Sequence, residues 1–304
     1  MSDATHVNTR ELMLRALRAG TVIPAFNIPY LPMMEPVVRA LSDTGCMGLI
    51  TVARLEWVKF ESGSLEAVRE EYERVRDNRF TRLHLDHVPV IDEDGLRVDY
   101  LSDIRRALAV GYESVMVDGS RLPLADNIAA TREVVALAAA TGAAVEAELG
   151  AVMGHEEGPM PSYEELFANG RGFTDAGEAA RFVRETGVDW LSVAVGNLHG
   201  AISKAKKDSK KTEARLNIDH LEQIRQAAGV PLVLHGGTGI RKESVLAGVR
   251  HGIAKINIAT AIRQPYERAR SRAISDGQRA VYDATVELIT AELGIAGSAN
   301  VLAL

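Results

Sequence analysis

The sequence predicts an α/β protein built as a (β/α)8 TIM barrel with extra C-terminal helices. Short β-branched runs alternate with longer helical patterns almost throughout, the short runs are mostly apolar on both faces, and no Pro/Gly/Ser-rich linker divides the chain. Strands buried on both faces belong to parallel sheets covered by helices. Eight strand-plus-helix beats in roughly 260 residues match a closed barrel of ordinary size. A doubly wound open sheet is the competing arrangement.

In order, the strands are read at "VIPAFNI" (22–28), "MGLITVA" (47–53), "RLHLDHV" (82–88), "SVMVDG" (114–119), "AAVEAELG" (143–150), "WLSVAVG" (190–196), "PLVLHGG" (231–237) and "AKINIA" (254–259). Segments such as "LADNIAATREVVALAAATG" lie between them, with apolar residues at helical spacing and a glycine stop. The expected organisation is one domain over 1–304, with the barrel at about 20–262 and C-terminal helices at about 263–295. Two stretches break the beat. Residues 150–175 form a long, glycine-dotted connection, and long connections in compact domains are often functional. Residues 201–217 are lysine-rich and read as a solvated loop.

Composition narrows the function classes. Of 304 residues, 46% are hydrophobic, enough for a sizeable core, and the net charge is -6. With a pI near 5.8 there is no basic footprint for nucleic acid. The single Cys46 excludes an intrachain disulfide framework and suits a reducing compartment. No apolar run reaches the roughly 20 residues of a membrane span. The N-terminal stretch is polar and then amphipathic, unlike a signal peptide. A cytoplasmic location without a membrane partner is therefore expected.

In such a barrel the active site assembles at the carboxyl ends of the strands. The third strand ends in Asp86 and His87, the fourth in Asp118 and Ser120, and the fifth in Glu146 and Glu148. The sixth is followed by His199, the seventh by His235, and the eighth ends in Asn257 through Thr260. Three imidazoles on one rim suit a catalytic zinc site with an open position. Alternation places His84 and Asp86 on one face and His87 on the other, unless the strand is already ending. His84 is read as a supporting residue, and His6, His220 and His251 as surface residues. Gly236 and Gly237 allow close backbone approach, and with Thr238, Asn257 and Thr260 they occupy the position where barrels bind phosphate.

Taken together in order, "LHLDH", "SVMVDGS", "VEAELG", "GNLHG", "LHGGTGI" and "AKINIAT" resemble the class II, metal-dependent fructose-bisphosphate and tagatose-bisphosphate aldolase family. The resemblance implies reversible aldol cleavage of a ketose (bis)phosphate to dihydroxyacetone phosphate and an aldehyde. It implies Zn2+ on His87, His199 and His235, stabilising the enediolate, and a second divalent or monovalent cation position involving Asp118 and Glu148. Asp86 would act as acid/base on the C4 hydroxyl, and Glu156 as a mobile glutamate moving the C3 proton under a closing lid. Gly200, Gly236, Gly237, Thr238, Asn257, Ile258, Ala259 and Thr260 would hold the triose-phosphate end. The small phosphorylated sugar would be the partner, and the chain would form a homodimer or homotetramer. "NIAT" resembles the tagatose-type branch.

Val88 stands where the family usually has glycine, and "PVIDEDGLRVDY" and "RLEWVKFESGSLEAVREEYERVRD" also depart from the common form, which leaves the aldehyde open. Two rival readings remain: a Schiff-base aldolase using Lys255, and a catalytically inactive sugar-phosphate-binding barrel.

Overall fold

The computed structural model describes residues 7–150, 163–197, 214–237 and 239–303. Eight parallel strands close a barrel in sequence order. They are β1 (Ile23–Asn27), β2 (Gly48–Ala53), β3 (Thr81–Pro89), β4 (Ser114–Asp118), β5 (Ala144–Leu149), β6 (Trp190–Val193), β7 (Leu232–Leu234) and β8 (Ile253–Ile258). The ring shuts where Ile23 of β1 pairs with Lys255 of β8. Closure excludes the open doubly wound sheet.

Helices α1 (Thr9–Ala19), α2 (Met34–Asp43), α3 (Arg54–Lys59), α4 (Leu65–Val75), α5 (Tyr100–Ala109), α6 (Leu124–Ala139), α7 (Tyr163–Asn169) and α8 (Ala176–Thr186) precede β6. They are followed by α9 (Ile218–Ala228), α10 (Lys242–Arg250), α11 (Thr260–Ala269), α12 (Ile274–Glu287) and α13 (Ala299–Leu302). The connection expected over 150–175 thus contains α7. The divergent segment after β2 forms α3 and α4. Residues 90–98 fold into a short hairpin in which Ile91 bridges Arg97.

Alternation sorts the side chains. Phe26, Ile50, Leu83, Leu85, Val115, Val145, Leu191, Leu234, Ile256 and others pack outward under the helices as the main core. The inner face has two levels. At the amino-terminal end, Ile23, Ala25, Leu49, Ala144, Trp190 and Val233 form an apolar plug with Leu12, Met13 and Ala16 of α1. Helix α1 is set there by the Asn8 cap, whose side chain accepts from Glu11 N–H, and by Gly20 in the left-handed region. The buried Arg82 guanidinium donates to the carbonyls of Val7 (2.9 Å) and Asn78 (2.6 Å), tying this lid to β3. Above the plug the interior turns polar, and that upper level is where the candidate site lies.

The C-terminal helices also anchor to the barrel body. Tyr282 donates to Asp43 at 2.8 Å, Arg15 to the Leu302 carbonyl at 3.0 Å, and Met47 N–H to Ser298 Oγ at 3.1 Å. Among the described residues, no helix is long and apolar enough to cross a membrane.

Candidate active site

The decisive local feature is a bulge in β3. Leu85 pairs with Val115 of β4, but the next pair is Val88 with Val117, so Asp86 and His87 together stand opposite Met116. A bulge breaks the two-residue period. It lets Asp86 and His87 both face the interior while Leu85 and Val88 stay in the outer core. Strict alternation had separated Asp86 from His87, and the bulge corrects it. His87 takes φ 27, the one non-glycine residue with positive φ among those described. A strained backbone of this kind persists only where the surroundings over-determine it.

His87 and His235 meet across the barrel with rings nearly perpendicular and centroids 4.4 Å apart. His87 Nε2 and His235 Nδ1 are 2.5 Å from each other. Behind them, His87 Nδ1 lies 3.2 Å from Asp118 Oδ2, and His235 Nε2 lies 2.8 Å from Glu146 Oε1. A carboxylate behind an imidazole makes that nitrogen the N–H donor and leaves the other with a lone pair. Two lone pairs facing each other need a cation between them, either a proton or a metal ion. Burial opposes charge on His87, but the negative charge of Asp86 and the bond to Asp118 push it up to about 10. Burial and the charge of His87 lower His235. Nitrogens sharing a tetrahedral zinc stand about 3.3 Å apart, within a small ring adjustment of the pair seen here. The donor set fits a divalent metal.

Acidic groups surround this pair. Asp86 with His87 and His235, and His87 with Asp118 and Glu148, each bring potential ligand atoms within 4.8 Å of one another. Asp86 is buried, with Asn257 donating to Oδ1 and Asn27 to Oδ2, both at 2.9 Å. Burial works to raise its pKa, but the charges of His87, Lys255, His235 and His84 prevail and hold it well below the usual carboxylate range. Glu148 goes the other way: burial and the charge of Asp118 push it up to about 8. Asp118 accepts from Ser120 Oγ at 2.6 Å and is held low, because its bonds from His87 and Ser120 outweigh burial.

Beneath the two imidazoles lies a buried charge cluster joining non-adjacent strands. Glu146 accepts from His235 Nε2, from Trp190 Nε1 at 2.6 Å and from Lys255 Nζ at 2.7 Å. Burial would raise Glu146, but Lys255 and His235 keep it ionised and low. Lys255 Nζ also lies 4.0 Å from Asp86 Oδ1. His84 is fully buried, with Nδ1 2.9 Å from Ser114 Oγ, and burial drives it down to about 3. His84, expected to support the site or simply to fill the core, lies buried with Nε2 3.5 Å from Glu146 Oε2.

Of the sequence-predicted residues, Asp86, His87, His235, Asp118, Glu148 and Asn257 come together. His199, Gly200, Glu156 and Thr238 lie outside the described residues, as do His6 and most of the lysine-rich stretch. Gly236 has φ 67, which favours glycine, and a Cβ on Gly237 would come within 2.7 Å of the Ile256 side chain and 3.2 Å of the Asn257 carbonyl, a crowded position for any side chain. Ile258 packs its side chain into the outer core, leaving only its backbone for the rim. Ala259 and Thr260 open α11 at the strand end. His220 and His251 are half-buried rather than free surface groups: His220 Nε2 is 2.7 Å from the Thr174 carbonyl and His251 Nδ1 is 3.0 Å from Glu222. The sequence reading gave no role to Asn27 or Glu56. Asn27 could have been found by counting inward positions from Ala25; nothing local marks Glu56.

Comparison with known proteins gives a consistent picture. Residues 7–300 match the family Fructose-bisphosphate aldolase class-II. The YdjI aldolase from Escherichia coli K12 is 26% identical, with a TM-score of 0.75 over 96% of this chain and 99% of its own. A Coccidioides immitis protein bearing a fructose-1,6-bisphosphate aldolase assignment is 25% identical, with a TM-score of 0.76 over 96% and 98%. The fructose-bisphosphate aldolase of Campylobacter jejuni, 15% identical with a TM-score of 0.72 over 96% of each chain, shares the fold.

Proposed function

The chain belongs to the class-II fructose-bisphosphate aldolase family, and from that premise we propose that it is a zinc-dependent aldolase. It reversibly cleaves a ketose phosphate into dihydroxyacetone phosphate and an aldehyde. The observation that carries the reading is the facing pair of His87 Nε2 and His235 Nδ1 with ionised Asp86 beside it. His87 and His235 would hold the metal, with His199 as third ligand and Asp118 and Glu148 near a second cation position. Bound there, zinc supplies a Lewis acid that stabilises negative charge developing on substrate oxygens.

Asp86 takes the proton of the C4 hydroxyl as the C3–C4 bond breaks, and returns it in the condensation direction. Asn27 and Asn257 orient its carboxylate from either side. Asn257 Oδ1 is buried without a partner, an acceptor suited to a substrate hydroxyl. The C3 proton falls to Glu156. The triose-phosphate end is assigned to Gly200, Gly236, Gly237, Thr238 and Asn257 through Thr260, beside the N-terminus of α11. The same reading includes a cytoplasmic homodimer or homotetramer.

The Schiff-base alternative is disfavoured by the engagement of Lys255, which is fully buried and ion-paired with Glu146. The test is a condensation screen: zinc-loaded protein with dihydroxyacetone phosphate and a panel of aldehydes, followed by product mass. A new ketose phosphate that disappears on chelation supports the reading; no product with any aldehyde overturns it.

A further inference from the structure

Helix α3 lies in a segment that departs from the common family pattern, and it carries a carboxyl group into the barrel mouth. Ala53, the last residue of β2, pairs in register with Asp86 of β3. Glu56 sits three residues on, and its side chain turns back so that Oε2 accepts from Ala53 N–H at 2.8 Å. That bond is half of a capping box, which an exposed glutamate could make equally well. Glu56 is instead only 6% exposed. The Asn27 side chain, bonded to Asp86 Oδ2 at 2.9 Å, lies near enough to Glu56 to favour its charged form, and the charges of Asp86 and His87 also act on it. Burial pushes it up to about 8, and the charge of Asp86 adds to that. Helix capping alone does not account for a carboxyl buried beside another carboxyl.

The link is Asn27. Its amide nitrogen has two hydrogens: one is donated to Asp86 Oδ2 at 2.9 Å, and the second is free to serve the nearby Glu56 carboxyl. We propose that Glu56 is a positioning residue: it holds the Asn27 amide with its nitrogen toward Asp86, and so sets the direction in which the Asp86 carboxylate meets the substrate hydroxyl. Without an acceptor at Glu56, Asn27 is free to turn, and its Oδ1 would then oppose the Asp86 carboxylate. This role rests on the aldolase reading, in which Asp86 moves the proton of the C4 hydroxyl.

The aldol reaction separates into parts that make the role testable. Exchange of the donor carbon's hydrogen with solvent, followed for dihydroxyacetone phosphate in D2O, involves the triose half alone. Carbon–carbon bond making and breaking needs Asp86 as well. The zinc-loaded full chain is compared as wild type, Glu56→Ala, Glu56→Gln, Asn27→Ala and the Glu56→Ala/Asn27→Ala double variant. Condensation uses the aldehyde turned over fastest in the panel, and zinc content is measured on every sample.

In Glu56→Ala, kcat for condensation should fall about 10- to 100-fold, the range for residues that orient a working side chain. KM for dihydroxyacetone phosphate, hydrogen exchange and zinc content should stay within about threefold. Glu56→Gln keeps an acceptor for Ala53 N–H but turns an NH2 group toward Asn27, so when assayed at about pH 9, where the Glu56 carboxyl is ionised, it too should lose kcat. The double variant should be no slower than Asn27→Ala, because both changes break one link. Unchanged kcat in Glu56→Gln would reduce Glu56 to a helix cap and overturn the proposal. So would equal loss of exchange and condensation together with zinc, or additive losses in the double variant. A wild type that neither exchanges nor condenses would instead bring down the aldolase reading and this role with it.

Discussion

Replacing Lys255 with methionine probes the buried charge cluster beneath the histidines. Lys255 is fully buried, 2.7 Å from Glu146 and 4.0 Å from Asp86. At an effective dielectric of about 20, unit charges at these separations attract by about 6 and about 4 kcal/mol. The desolvation of three buried charges, several kcal/mol each, offsets most of this. Removing the cation takes away the attraction and leaves the desolvation of two carboxylates in place. The expected loss is about 3–5 kcal/mol of folding stability, the range for breaking one side of a buried ion pair. The assay is urea unfolding of Lys255→Met, Glu146→Gln and the double variant. The double variant should recover at least about half of the Lys255→Met loss, since it removes charge from both sides. A Lys255→Met protein within about 1 kcal/mol of wild type would refute the account of Glu146 as an ionised, lysine-compensated carboxylate.

Four further outcomes are expected. Asp86→Asn should cut aldol turnover by about 10²- to 10⁴-fold, the usual contribution of a general base, with zinc content unchanged by metal analysis. Zinc at about 100 times its dissociation constant should stabilise the chelator-treated protein by about 2.7 kcal/mol, read as a rise in unfolding midpoint that His235→Ala abolishes. Gly237→Ala puts a Cβ against Ile256 and 3.2 Å from the Asn257 carbonyl; the displaced backbone should lower kcat/KM for dihydroxyacetone phosphate about 10- to 100-fold. Burial pushes the Cys46 thiol up to about 11. At pH 8 about a thousandth is thiolate and the residue is fully buried, so a disulfide reagent should modify it only after denaturation.

Much of the barrel is readable from pattern. The eight β-branched runs coincide with the eight strands to within a few residues, because both faces of each strand must suit a buried environment and helix-period segments must cover them. Asp86, His87 and His235 are legible as candidate site residues because polar groups at strand ends are conspicuous among apolar neighbours. Their shared orientation is not. A period of two places His87 on the wrong side, and only the bulge opposite Met116 brings it inward. The charge on Glu56 looks like the polar side of a surface helix, and its burial depends on α3 folding back over the end of β2.

The sequence by itself determined the order, type and parallel sense of the strands, and which residues crown them, because periodicity and burial act over a few neighbours. Tertiary structure alone decided which crowned residues meet. Lys255 reaches Glu146 across 109 positions and Asn257 reaches Asp86 across 171. Such pairs depend on the stagger of the closed ring and on one irregular step in β3. Those are properties of closure, to which every strand contributes and which no local segment contains.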